Sequence, residues 1–286
     1  MKLTTPVIPE RLSDPLRSED KICVLGSCFS DAIGARLADA GFSVLHNPFG
    51  PLYNPASIAS AAQRLDSAAP FTAEDCVELG AGAGRTGSFS HHTSFARATA
   101  EEFLDHANRK LEADAAAWRD SRHVIVTLGT ARVWQALERP GRPVVANCLK
   151  RPAREFAHGL LSVAECSALL RQLADAHPDK RFLFTVSPIR HLGDGAHANT
   201  LSKATLQLAV EEVLSRPNTG YFPACEIVLD ELRDYRFYAD DLIHPSELAV
   251  RIIWERFVEA CVDPACRDRI RESEKAARAA RHRPLL

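Results

Sequence analysis

A chain of 286 residues, 46% of them hydrophobic, is long enough to bury a sizeable core. Its 35 Lys and Arg set against 37 Asp and Glu leave a net charge of −2, which predicts neither a nucleic-acid footprint nor an acidic tail. No apolar stretch reaches the roughly 18 residues a membrane span needs, and the charged segment up to Asp20 has no apolar h-region, so it is not read as a signal peptide.

The first element is the run Lys21-Ile22-Cys23-Val24-Leu25-Gly26, which ends in Ser27 and passes at once into an amphipathic segment. A short Ile, Val and Leu run closed by glycine predicts a buried parallel strand feeding a crossover helix. Residues 31–40 are expected as that helix, stopped by Gly41, and 42–46 as a second strand. The segment Asn47-Pro48-Phe49-Gly50-Pro51-Leu52-Tyr53-Asn54-Pro55 favours neither helix nor strand and predicts a shaped loop beside the Ser27 turn. A helix over 57–67 follows. Two short strands around the glycines at 80, 82 and 84 predict an inserted hairpin over about 71–95, closed by His91-His92. No Gly-Lys-Ser/Thr follows those glycines, so they make no phosphate loop.

A long helix is expected over 99–118 and a second central strand over 121–129, with the tip Gly129-Thr130-Ala131 next to the first strand's end. Residues 144–157 read as irregular, with Asn147 and Cys148 in a possible extra strand. A helix over 162–176, a buried strand over 181–186 and the polar tip Ser187-Pro188-Ile189-Arg190-His191 come next. Residues 198–214 predict a helix and 221–229 a last strand. Asp240-Asp241-Leu242-Ile243-His244-Pro245 then leads into a helix over 247–262, with Pro245 near its start. The Lys/Arg-rich end, interleaved with acids, predicts a solvated helix within 263–286. Gly and Pro are spread rather than clustered, so 1–286 reads as one domain with a core over about 20–262. The eight cysteines form no C-x-x-C pair and fall mostly in apolar runs, which predicts reduced thiols and a cytoplasmic protein.

Strands alternating with helices predict an α/β fold with a parallel sheet and helices on both faces, and every polar tip named above follows a strand. A serine hydroxyl is a poor nucleophile until a base takes its proton and a third group orients that base. Ser27 is the candidate nucleophile and His244 the candidate base. Asp241, three residues before His244, is the preferred orienting acid, with Asp240 as a competitor at four. The Ser27 or Cys28 N–H, the Gly50 N–H and the Thr130 hydroxyl or N–H are the available oxyanion donors. Cys28 is the lesser candidate nucleophile, since its side chain is expected on the other side of the turn from Ser27. His91, His92, His191 and His197 lack an i, i+4 ligand pair, so no metal and no cofactor are expected.

Gly26-Ser27-Cys28-Phe29-Ser30 resembles the signature of the GSCFA domain family, a GDSL-like branch of the SGNH hydrolases, with Ser30 in place of the final alanine. The resemblance extends through Asn47 to Pro55, His92 to Phe95, Thr127 to Ala131, Ala146-Asn147-Cys148, Ser187 to His191 and Asn199 with Ser202-Lys203. It ends in the most specific block, Asp230 to Tyr238 running into Asp241-x-x-His244-Pro245. It implies a flavodoxin-like three-layer α/β/α hydrolase with a central, mostly parallel sheet, Ser27 as nucleophile and Asp241 with His244 completing a catalytic triad. In the wider superfamily a G-x-N-D asparagine binds the oxyanion. Gly129-Thr130-Ala131-Arg132 stands in its place here, leaving Gly50 for the glycine donor and Thr130, Asn47, Asn147 or His92 for the missing amide.

Together these readings predict a serine esterase removing acetyl or another short acyl group from a carbohydrate or small metabolite. An acyltransferase using the same serine and a ligand-binding module without turnover are the alternatives. Arg190 and His191 are candidates for binding polar groups of the substrate, and Lys203 for a place near the site or on a solvated helix face.

Overall fold

The computed structural model describes residues 4–80 and 82–281. Along the chain run β1 (Lys21–Gly26), α1 (Cys28–Asp39), β2 (Ser43–His46), α2 (Pro55–Ser67), β3 (Val77–Glu78), β4 (Thr86–Gly87) and α3 (Ala100–Asp120). Next come β5 (His123–Leu128), β6 (Arg132–Ala136), β7 (Val144–Val145), β8 (Phe156–Leu160), α4 (Val163–Ala176), β9 (Arg181–Val186) and α5 (Ala196–Glu211). The chain continues through β10 (Thr219–Tyr221), α6 (Ala224–Glu226, running into a π-turn over Ile227–Glu231), α7 (Glu247–Cys261) and α8 (Arg267–Arg281).

Five strands form one parallel sheet in the order β10-β9-β5-β1-β2. Taken as crossing units this is the 2-1-3-4-5 order of flavodoxin-like folds, and its switch point lies between β1 and β5. Every residue of β5 is buried, as are five of the six in β1. Apolar residues at successive positions therefore feed both faces of the sheet. Cys23, Leu25, Val124, Val126, Phe182 and Phe184 pack with Ile58, Leu65, Phe103, Trp118, Leu170 and Leu206 from α2 to α5. Ile22, Val24, Ile125 and Leu183 face the other way, against Phe29, Ile33, Leu37, Ile227, Ile253, Trp254 and Phe257 from α1, the π-turn and α7. Burying each such aliphatic side chain contributes about 1.5–3 kcal/mol. The three-layer α/β/α fold follows from these two cores.

Two strand assignments differ from the sequence reading. Residues 132–160 form an antiparallel sheet, β7-β6-β8, beside the β5 tip rather than an irregular segment. The last strand stops at Tyr221, because Pro223 cannot donate to a ladder and the chain coils into α6 at Ala224. The inserted hairpin is present as the antiparallel pair β3 and β4. Helix α8 is solvated on one side and anchored on the other, where Ile270 is buried and Glu274 Oε1 accepts from Trp254 Nε1 at 2.8 Å.

Candidate active site

The tips of β1, β5 and β9 and the loop before α7 converge at the carboxyl edge of the sheet. At Gly26 the backbone takes φ +149° and a Cβ would lie 2.3 Å from Thr127 O, so only glycine lets β1 turn this close to β5. Helix α1 then begins at Cys28 with Ser27 as its N-cap residue. Ser27 N–H donates to Thr127 O at 3.1 Å, which continues the sheet ladder by one residue. The Ser27 side chain is fully buried, and its Oγ has no hydrogen-bond partner among the described residues. Its Cβ packs against Gly129, where an added methyl carbon would lie 3.2 Å away.

His244 stands on the loop between the π-turn and α7. Its Nδ1 meets Asp241 Oδ2 at 2.6 Å, while Asp241 Oδ1 accepts from Ile243 N at 2.9 Å and His244 N at 3.0 Å. These hydrogen bonds, the two backbone amides first, hold the Asp241 carboxyl down to about 2. An ionised Asp241 fixes the imidazole with its proton on Nδ1, which leaves Nε2 as an acceptor. Asp240 makes no such contact. The other nitrogen, Nε2, lies 3.6 Å from Cys28 Sγ. The imidazole is thus paired with Cys28 and makes no hydrogen bond to Ser27, whose side chain lies on the other side of the turn. Burial and Asp31 together push the Cys28 thiol up, outweighing the Cys28 and Phe29 amides and Lys203, so the thiol is protonated at neutral pH.

Several expected substrate or oxyanion residues are bonded elsewhere. Gly50 N–H donates to Asn47 O at 2.7 Å, and Thr130 N–H to Tyr53 O at 2.8 Å. Thr130 Oγ1 pairs with Ser202 Oγ at 2.8 Å and accepts from Arg132 N. Asn47 is a buried brace: its Oδ1 accepts from Gly26 N and its Nδ2 donates to Ser30 Oγ and Asp31 Oδ1. Asn147 Oδ1 accepts from Leu149 N. His92 Nδ1 accepts from Ser94 N, and the His92 Cβ lies against Gly50. Arg190 donates to Leu242 O at 3.1 Å and covers the Tyr238 ring, so it steadies the loop that carries His244. The donors left without a backbone acceptor at the turn are the first-turn amides of α1, Cys28 N–H and Phe29 N–H.

Behind the turn sit three groups whose roles sequence patterning hides. Lys203 is only 7% exposed, and its ammonium donates to Gly129 O at 2.6 Å and Ser187 O at 2.7 Å, tying the β5 and β9 tips together. Burial lowers its pKa to about 8. His191 Nε2 is buried without a partner among the described residues and lies 3.1 Å from the point a Gly129 Cβ would occupy. Tyr53, whose carbonyl accepts the Gly129 and Thr130 amides, has its phenol pushed up to about 12 by burial, then by Cys28 and Asp31. Its place in the Tyr-Asn-Pro loop was the only signal in the sequence.

Asp241 and His244 are each about half exposed, so the site is open to water. The cavity of about 230 Å³ between α2 and the β6–β8 sheet, lined by Phe49, Arg64, Ser90, Arg139 and Ala146 among others, includes neither His244 nor Cys28. Among the described residues no three His, Cys, Asp or Glu side chains gather as a metal site, and no helix is long and apolar enough to cross a membrane.

Among solved structures, the chain is similar to a carbohydrate esterase family 2 enzyme with its carbohydrate binding domain from Corynascus thermopiles (Myceliophthora fergusii). The identity is 14%, the alignment covers 92% of this chain and 69% of that one, and the TM-score is 0.41. It is also similar to a family 3 carbohydrate esterase of Clostridium thermocellum, at 13% identity, 89% and 98% coverage and a TM-score of 0.38. The comparison with curated proteins gives no match. The model of the GSCFA family matches residues 21–257, most of the chain, and the protein belongs to the GSCFA family.

Proposed function

We propose that the protein is an acyl-ester hydrolase, with a nucleophile on the β1–α1 turn, His244 as general base and then acid, and Asp241 as the group that orients it. The observation that carries this reading is the 2.6 Å contact between His244 Nδ1 and Asp241 Oδ2, made beside the switch point where open α/β sheets bind ligands. A base held by an ionised carboxylate next to a hydroxyl and a thiol is the arrangement acyl transfer requires. The exposure of the dyad favours water as the acyl acceptor, and hence hydrolysis over transfer to an alcohol. Short acyl esters of carbohydrates or small metabolites are the proposed substrates.

Short-chain p-nitrophenyl esters and acetylated sugars test the reading. Turnover is expected, and His244→Ala is expected to lower kcat/KM by about 10²–10⁴-fold, the usual weight of general base catalysis. A His244→Ala protein as active as the parent would end the proposal. Ester products outrunning free acid when alcohols are supplied would replace hydrolysis by acyl transfer.

A further inference from the structure

We propose that the attacking atom is Cys28 Sγ and not Ser27 Oγ, so that the acyl group is carried on the enzyme as a Cys28 thioester; this rests on the acyl-transfer reading above. Three independent observations separate the neighbours. The first is reach: His244 Nε2 lies 3.6 Å from Cys28 Sγ, within the range of a hydrogen bond to sulfur, and makes no hydrogen bond to Ser27. The second is access. Cys28 is partly exposed, whereas Ser27 is fully buried with its Oγ sealed and its Cβ against Gly129. The sulfur is open to a substrate carbonyl where it stands, whereas the hydroxyl is sealed from it.

The third observation concerns the oxyanion. In acyl transfer the amide of the nucleophile itself is well placed to receive the developing negative charge. Ser27 N–H is spent on Thr127 O, inside the sheet ladder. Cys28 N–H and Phe29 N–H are first-turn amides of a 12-residue helix and carry its positive end. Only attack from Cys28 leaves free amides at the nucleophile's own position.

In the forward step His244 Nε2 takes the thiol proton as Sγ bonds to the ester carbonyl carbon, and the carbonyl oxygen becomes the oxyanion. The oxyanion collapses, the carbon–oxygen bond to the alcohol breaks, and the alcohol leaves with the proton held on Nε2. Water then attacks the thioester carbonyl and gives a proton to Nε2. The carbon–sulfur bond breaks, the thiolate takes that proton back, and the carboxylic acid leaves. The step needs no oxidant or metal. Because burial keeps the thiol protonated, the base must act at the moment of attack, unlike in a preformed thiolate pair.

The test traps the acyl-enzyme. Protein mixed with p-nitrophenyl acetate is quenched in acid, and the adduct is located by peptide mass, with its lability to neutral hydroxylamine read in parallel. One acetyl group on Cys28, released by hydroxylamine, is expected. Ser27→Ala is expected to form the same adduct, and Cys28→Ala is expected to lose it with a fall in kcat/KM on the order of 10³-fold or more. Iodoacetamide is expected to block turnover by alkylating Cys28, with a rate that rises with pH to a midpoint above the ordinary cysteine value. An acetyl group on Ser27 oxygen, or a Cys28→Ala protein with parental activity, overturns the thiol assignment while leaving the hydrolase reading intact. Absence of both turnover and adduct in the parent protein overturns both.

Discussion

His91 and His191 are both kept neutral by the fold, and that makes folding stability depend on pH. His91 accepts or donates at Ser88 Oγ, 2.7 Å away, inside a cage of Phe49, Phe71, Phe95 and Phe103. Burial, then Arg64, brings it down to about 3. Burial, then Lys203 and His244, brings His191 down to about 4. Both folded values lie below the ordinary 6.5, so between pH 6.5 and 4 the unfolded chain binds protons that the folded chain refuses. Stability therefore falls as pH falls through that window, by on the order of 2–3 kcal/mol per histidine. Urea midpoints at pH 7 and 4.5 measure it. His91→Phe, which fills the same aromatic cage without a titrating group, is expected to flatten the dependence, and an unchanged slope would remove His91 from the account. The Asp241 carboxyl acts in the same direction lower down, since its favourable bonds are lost only as pH falls from the ordinary carboxylate range towards 2.

At the scale of elements the β1–α1 turn sets which side chain meets His244, and its decisive detail lies in where α1 begins. The periodicity places the helix at 31–40, which leaves 27–30 as a turn with Ser27 and Cys28 on opposite sides and does not say which of them faces the base. The structure starts α1 at Cys28, so Ser27 becomes the cap and turns inward while Cys28 becomes the first helical residue, facing His244. A helix boundary is the least legible quantity in a sequence, and a shift of three residues decides which side chain faces His244. The Asp241-x-x-His244 pair was legible because a tight loop of three residues is a local geometry. The partners of Lys203, Tyr53 and Arg190 were not, because each bonds a backbone carbonyl or amide on a strand tip or loop far along the chain. The parallel strands were legible as continuous apolar runs. The β7-β6-β8 sheet was not, since β7 has only two residues and no period to display. The turn also carries a sharp test. Gly26→Ala is expected to cost about 1–3 kcal/mol from backbone strain and overpacking against Thr127. It should also lower activity by moving Cys28 relative to His244. Gly193→Ala, where nothing lies within 4 Å of the added carbon, is the control, with a change within about 0.5 kcal/mol. Equal urea midpoints for the two variants would refute the strain argument.

For the whole molecule, one sheet shared by two cores implies that the layers unfold together, while the β7-β6-β8 sheet stands partly outside that cooperation. The three tryptophans report the three regions separately. Trp118 is buried with α2, α4 and the sheet on one face, and its Nε1 donates to Asp66 at 2.7 Å. Trp254 is buried on the opposite face beside Phe257. Both cores touch β1, β5 and β9 from either side, so loss of the sheet removes the support of both at once. Trp134 instead stacks on His158 at 4.1 Å over a small cluster of Ala136, Val145 and Phe156, where few apolar groups oppose local opening. Variants that keep one tryptophan and replace the other two by phenylalanine separate these signals in a guanidinium titration. Trp118 and Trp254 are expected to share one midpoint, as a two-state unit does, and Trp134 to change at lower denaturant. Separate midpoints for Trp118 and Trp254 would mean that the two faces of the sheet are independent. The site at its edge would then hang on one layer alone, with Cys28 on α1 and His244 just ahead of α7, both on the face that Trp254 reports.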